Sequence, residues 1–350
     1  MNWLDPARRH PGAVLALLLC ASLLPVAKAR GAEASYTVRM QPVPGANGAP
    51  VLMDYIAFDP ATHLVWVPAG NTGAVAVFDA SGGARRIDGF ATAEMGTGER
   101  RRKVGPSSVT VGAGRVYVGN RGDSTVCAFD ASSLARGACH RLDSMPDGLA
   151  YVAATKEVWV TTPRDKSIRT LDATTLAEKA KLSFDGNPEG FAVDGVRGRF
   201  YTNLEDKDRT LAIDLASHRT LATWKPSCGA DGPHGLRVDA AAGQLFVACS
   251  TRAEVLDVAH DGAVLSSIDT GDGVDDIDYW APTHTLYVGA ARAGRLTIAR
   301  ADAHGKLSVL ATVATHAGAR NPAVTDKGVV YLAHSSLGGL SDLVVVEPRQ

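Results

Sequence analysis

The sequence predicts an all-β fold, a seven-bladed β-propeller of four-stranded blades whose ring is closed by an N-terminal strand completing the last blade. Three observations predict it. The aromatic centre of a short apolar strand recurs at Trp66, Tyr117, Trp159, Tyr201, Phe246, Tyr287 and Tyr331. The end of the following strand recurs in phase at Asp79, Asp130, Asp172, Asp214, Asp257, Arg300 and Glu347. Both series give seven units at steps near 42 residues, inside the roughly 40–50 that a propeller blade occupies. The third observation concerns the ends: Ser35–Met40 is a lone strand, and the last unit stops at Glu347 with three strands. A ring closes if the one supplies the fourth strand of the other, because this removes two open edges together.

Residues 1–34 read as a secretory signal peptide. Arg8 and Arg9 precede the apolar run Ala13–Leu24, and small residues suit cleavage after Ala29 or Ala34. Leu19, ahead of Cys20, is not the small residue that a lipidation site prefers. The apolar run is too short to span a bilayer and no other segment approaches the length, so no transmembrane segment is expected. The expectation is a periplasmic or secreted protein with residues 35–350 forming a single propeller domain. A net charge of −1 gives no reason to expect nucleic acid as a partner. In an oxidising compartment the remaining thiols pair. Hairpin placement joins Cys127 to Cys139 and Cys228 to Cys249, and the absence of any C-x-x-C spacing argues against a four-thiolate metal site.

The first unit runs from Asp54 to about Phe90. Before the second comes an insert, Ala91–Val104, containing GERRRKVG, which propeller geometry places over the face where inner strands begin. Its Arg100–Lys103 run is an anion-recognition candidate or a solvated basic loop. Units two to five open regularly, with proline fixing the strand entry and glycine letting backbones crowd. Asn187–Asp214 is the clearest example: Phe191–Val193, Phe200–Thr202 and Leu211–Ile213 are strands separated by turns. The sixth unit opens without proline in the same phase, and the seventh has a shorter first turn.

No H-E-x-x-H, G-x-S-x-G or Walker motif occurs. One constellation stands out when the unit openings are laid in register: Asp54, Ser107, Asp147, Glu189, His234, Asp275 and Asn321, all polar and all at the start of an inner strand. Such side chains can line the channel mouth and bind a ligand, or simply cap turns and meet water. If a cation sits there, Asp147, Glu189, His234 and Asp275 are its expected ligands, Ca²⁺ where oxygen dominates and a transition metal where His234 takes part. The hairpins between second and third strands add Asn71, Asn120, Asp165, Asn203, Glu205, Asp206, Arg252, Arg292 and His334 on the same face.

Through the aromatic-V strands, the terminal Asp, and the phrases RVYVGN, NLEDKDRTLAID and GVDDIDY, the chain resembles exported bacterial propellers of the YncE-like, YVTN-repeat kind. That resemblance implies seven blades and export, with no assigned activity. PDGLAY, PEGFAVD and PHGLRVD also look similar to strand openings of gluconolactonase and regucalcin propellers, and by that likeness Asp147 and Glu189 would hold a divalent cation. Two functions follow as expectations. One is a binding or interaction module for a small molecule or protein at the channel face. The other is a metal-dependent hydrolase of the lactonase type.

Overall fold

The structure is a computed structural model that describes residues 35–79, 81–335 and 339–349; the expected signal sequence lies outside them. Seven four-stranded antiparallel sheets form the ring, each with its strands in sequence order from the channel outward except the last. Blade four shows the plan: Pro188–Asp194, Arg199–Leu204, Arg209–Asp214 and Thr220–Trp224.

The aromatic marker has a packing cause. Each marker residue is buried and packs onto the next blade: Trp66 joins Val116 and Val118 of blade two, and Trp159 stacks on Phe200 of blade four at 4.5 Å. Tyr201 meets Leu245 and Val247 of blade five, and Tyr331 of blade seven meets Val65 and Val67 of blade one, which closes the cycle. Burying such a ring is favourable by roughly 1.5–3 kcal/mol, so one large side chain per blade glues the sheets face to face.

The terminal aspartate has a different cause. Asp130 accepts from the backbone N–H of Ser132 and Ser133, and Asp172 does the same for Thr174 and Thr175. The carboxylate thus replaces missing ladder bonds at the turn into the outer strand. These hydrogen bonds hold the Asp130 and Asp172 carboxyls below the ordinary range. In blade six the strand runs through Arg300 to Ala301, and Asp302 serves the turn, accepting from His304 and Lys306. Arg300 is therefore a register marker without the capping role.

The N-terminal strand, Tyr36–Pro42, pairs along its whole length with Asp342–Pro348, and Arg39 adds an ion pair to Glu347 at 2.9 Å. Disulfides join Cys127 to Cys139 and Cys228 to Cys249. The second ties the loop ahead of blade five to the end of that blade's second strand, and Asp231 of this loop lines the channel mouth. Replacing both Cys228 and Cys249 by serine is expected to cost about 2–4 kcal/mol, read by urea unfolding; an unchanged midpoint counts against a stabilising bond. No helix among the described residues is long and apolar enough to cross a membrane.

A candidate site at the channel mouth

Polar side chains collect at the mouth because the inner strands start irregularly. The pairing register slips between Pro106 and Ser108, Pro188 and Phe191, Pro233 and Leu236, Val274 and Ile277, and Arg320 and Pro322. Those bulges contain Ser107, Glu189, His234, Asp275 and Asn321. A bulge leaves residues outside the ladder and re-aims their side chains. The glycine after Glu189 or His234 is then a matter of space: a Cβ on Gly190 would overlap the His234 carbonyl oxygen, and one on Gly235 the Asp276 carboxylate.

The structure divides the seven positions into two groups and one single residue. Arg121 of blade two bridges Asp54, at 2.8 Å, and Asp147. Arg320 of blade seven contacts Asp54 at 3.4 Å and Asp275 at 2.5 Å. Between these two carboxylates lies the buried amide of Asn321, whose nitrogen donates to Asp54 and to Asp275 at 2.9 Å each. Its oxygen accepts from the Asp276 N–H at 3.0 Å. Asn321 has a φ of 48°, a left-handed conformation that Asn tolerates better than most residues.

The environments split the carboxyl groups. Burial raises Asp275, but Arg320 and the Asn321 amide outweigh it and hold that carboxyl below its usual range. At Asp147 burial dominates over Arg121, and the carboxyl is raised. Beneath the ring, burial pushes Asp276 up to about 6 despite its ion pair with Arg237 at 3.0 Å.

The second group is Glu189, Glu205 and His234, whose ligand atoms lie within 4.8 Å of one another. Burial raises the Glu189 carboxyl well above the ordinary range, and its contact with Glu205 raises it further. The Nε2 of His234 is 3.1 Å from the Ser250 hydroxyl, and its Nδ1 is buried without a partner. Two acids in contact must share a proton or accept a cation between them. Ser107 stands apart, buried, with a hydroxyl that has no hydrogen-bond partner.

Three cavities meet at this mouth, of about 210, 250 and 520 Å³, and all of them include Arg320 in their walls. The insert hairpin, Ala93–Met95 with Arg102–Val104, covers part of the face. Met95 and Arg102 line the same cavity as Asp147 and Glu189. At the far end of the channel is a different space of about 400 Å³, lined by Tyr55, Phe58, Tyr151, Phe191, Tyr279 and Trp280 among others.

Of the four expected metal ligands, Glu189 and His234 stay together, whereas Asp147 and Asp275 are engaged by arginines. Arg121 and Arg320 were not among the sequence candidates, although each adjoins one, Asn120 and Asn321. Most hairpin candidates spend their side chains locally. Asn71 holds Leu52 and Pro50, Asn120 holds Asp123 and Gly122, and Asp206 accepts from the Asn187 N–H. Asp165 pairs with Arg169, Asn203 donates to the His234 carbonyl, Arg252 pairs with Glu254, and His334 is buried. Glu205 and Arg292 do reach the mouth.

No protein-family model and no curated protein sequence matches the chain. Solved structures do. A streptogramin B lyase shares 12% identity over 90% of this chain and 98% of its own, with a TM-score of 0.69. A virginiamycin B lyase from Staphylococcus aureus shares 11% over 90% and 100%, with a TM-score of 0.68. A chain of a mitotic checkpoint complex shares 16% over 97% and 99%, with a TM-score of 0.70. At these identities the likeness is one of fold.

Proposed function

We propose that this chain is an exported, YncE-like propeller that binds a small polar molecule at its channel mouth. The observation that carries the reading is convergence: the three mouth cavities all have Arg320 in their walls, within one network of Arg121, Asp54 and Asp275. Donors and acceptors held there by ion pairs are pre-organised, which lowers the ordering cost of binding. The test is native mass spectrometry of the protein purified from its own host, followed by denaturation and identification of released small molecules. A ligand released by the native protein and absent from an Arg320→Ala variant that still folds supports the reading. A native protein that carries nothing, and whose melting no compound of a polar metabolite library shifts, overturns it.

A second reading, a metal-dependent hydrolase of the lactonase type, is favoured by Glu189, Glu205 and His234. These residues fit a divalent ion: two carboxylates that repel each other, and an imidazole with one nitrogen unpartnered. Such an ion, when bound, would polarise a carbonyl or activate water. Structural relatives include lyases, one of which is catalytically inactive with a histidine changed to alanine, so chemistry at a propeller is precedented. Under this reading chelation lowers the melting temperature, added Ca²⁺ or a transition metal restores it, and Glu189→Gln abolishes the response. Indifference to chelator and metal together removes it.

A further inference from the structure

We propose that the Cys127–Cys139 disulfide, on the rim of blade two, is a thiol–disulfide exchange site that takes a small thiol at Cys139 and is activated by Arg136. The bond joins the two outermost strands of its sheet, Thr125–Asp130 and Arg136–Arg141, and so lies away from the channel mouth.

Three observations set this bond apart. Its two sulfurs differ in access, since Cys139 is an exposed residue whereas Cys127 is buried, at 1% exposure. One guanidinium holds both of them. The Nε of Arg136 donates to Sγ of Cys139 at 3.3 Å, and a terminal nitrogen donates to Sγ of Cys127 at 3.2 Å. Arg136 lies over the Phe90 ring, 5.8 Å from its centroid, and makes no ion pair among the described residues, so no carboxylate competes for its charge. Finally, the cysteines are direct partners in the strand ladder, next to the pairs Thr125–Arg141 and Val126–His140. Backbone pairing therefore keeps the two sulfurs facing each other when the bond opens.

The attacking species in exchange is a thiolate, and the step is faster when the departing sulfur is a good leaving group. Access directs the attack to Cys139. A bond forms between the incoming sulfur and Cys139, the Cys127–Cys139 bond breaks, and its electron pair stays on Cys127. A buried thiolate is costly alone. The guanidinium already at 3.2 Å stabilises it, as a neighbouring cation does for reactive cysteines generally. A second thiolate then attacks the incoming sulfur and releases Cys139. The two cysteines take up the two protons that the thiols gave up, so two thiols are oxidised to one disulfide while the protein bond is reduced. The reverse reaction, with a low-molecular-mass disulfide as oxidant, restores the bond.

The Cys228–Cys249 bond has the opposite surroundings. Cys228 is half-buried, Cys249 is buried, and a carboxylate oxygen of Glu254 lies within 4.8 Å of both sulfurs. No guanidinium or ammonium group donates to either sulfur among the described residues. A thiolate formed there meets an acid in place of a cation, which disfavours it.

The test treats the folded, oxidised protein lacking residues 1–34 with reduced glutathione, alkylates free thiols at successive times and maps the labelled peptides. Cys127 and Cys139 should be labelled well before Cys228 and Cys249. Arg136→Ala should slow their labelling about tenfold, the scale of a lost charge-assisted hydrogen bond to the leaving sulfur. Arg141→Ala makes the same charge change on the same strand without a sulfur contact and should leave the rate unchanged, with circular dichroism checking that each variant folds. The point of attack is read separately with oxidised glutathione: Cys127→Ser should form a mixed disulfide at Cys139, and Cys139→Ser should form none at Cys127. The proposal is overturned if the two native bonds open together or in the reverse order, a result that needs no variant. It is equally overturned if folded Arg136→Ala reacts as fast as the native protein, or if the mixed disulfide forms at Cys127 instead.

Discussion

Replacing Arg121 by alanine should destabilise the protein by about 3 kcal/mol, the low end of what breaking a buried ion pair costs. The side chain is 18% exposed and its partners Asp54 and Asp147 are 13% and 15% exposed, so water can do little for carboxylates left behind. Asp54 keeps Arg320 and Asn321, but Asp147 loses its one guanidinium partner and must be protonated or move. The deficit should therefore shrink in acid. Burial raises the Asp147 carboxyl even beside Arg121, and loss of that guanidinium raises it further above its value in the unfolded chain, so protonating it in acid relieves the variant relative to neutral pH. Urea unfolding at neutral and at mildly acidic pH measures this. Adding Asp147→Asn to Arg121→Ala should recover part of the loss at neutral pH. A cost below about 1 kcal/mol would mean that the bridge is no better than an exposed pair.

Deleting Tyr36–Pro42 is expected to do more, removing cooperative folding of the last blade. The strand makes a seven-residue ladder with Asp342–Pro348. Tyr36, Val38 and Met40 also pack against the cluster that contains Tyr287, Leu332, Val344 and Val346. Without it Asp342–Pro348 becomes an open edge whose residues Leu343–Val346 are apolar, the kind of strand that recruits another chain. Size-exclusion chromatography should show oligomers or aggregate, and calorimetry a broadened, lower transition. A monomer that melts as the intact protein does would show that the ring closes without this strand.

The architecture was legible because its markers are packing requirements that repeat. Trp66, Trp159 and Tyr201 recur at fixed steps since each must fill the same space between blades, and the third-strand aspartates recur since each turn lacks the same hydrogen bonds. Cys127 and Cys139 were legible because a hairpin puts them opposite each other. The mouth was legible only as a set of positions. Register says that Asp54 and Asn321 open their blades, but not that their side chains meet across the seam between blades one and seven, 267 residues apart in sequence. Arg121 and Arg320 escaped because nothing local distinguishes them from the other arginines of the chain; their role depends on which carboxylates the bulges turn inward. Arg300 shows the converse limit, since it keeps the phase of the repeat while Asp302 does the work of the turn.

The closing strand also sets an order of events. Within six blades every strand pairs with its immediate neighbour in the chain, so those sheets can form as soon as their segments are available. Tyr36–Pro42 must wait for a partner about the whole chain away; Thr37 meets Glu347 across a separation of 310 residues. If the intervening chain were flexible, bringing its ends together would cost only about 3 kcal/mol more than closing a hairpin, because loop entropy grows with the logarithm of length. Preformed blades reduce even that, since they hold the two ends near one another. The strand made first is thus the one placed last, and a chain interrupted anywhere before Asp342–Pro348 has no partner for it. Ring closure reports that synthesis has reached the final blade.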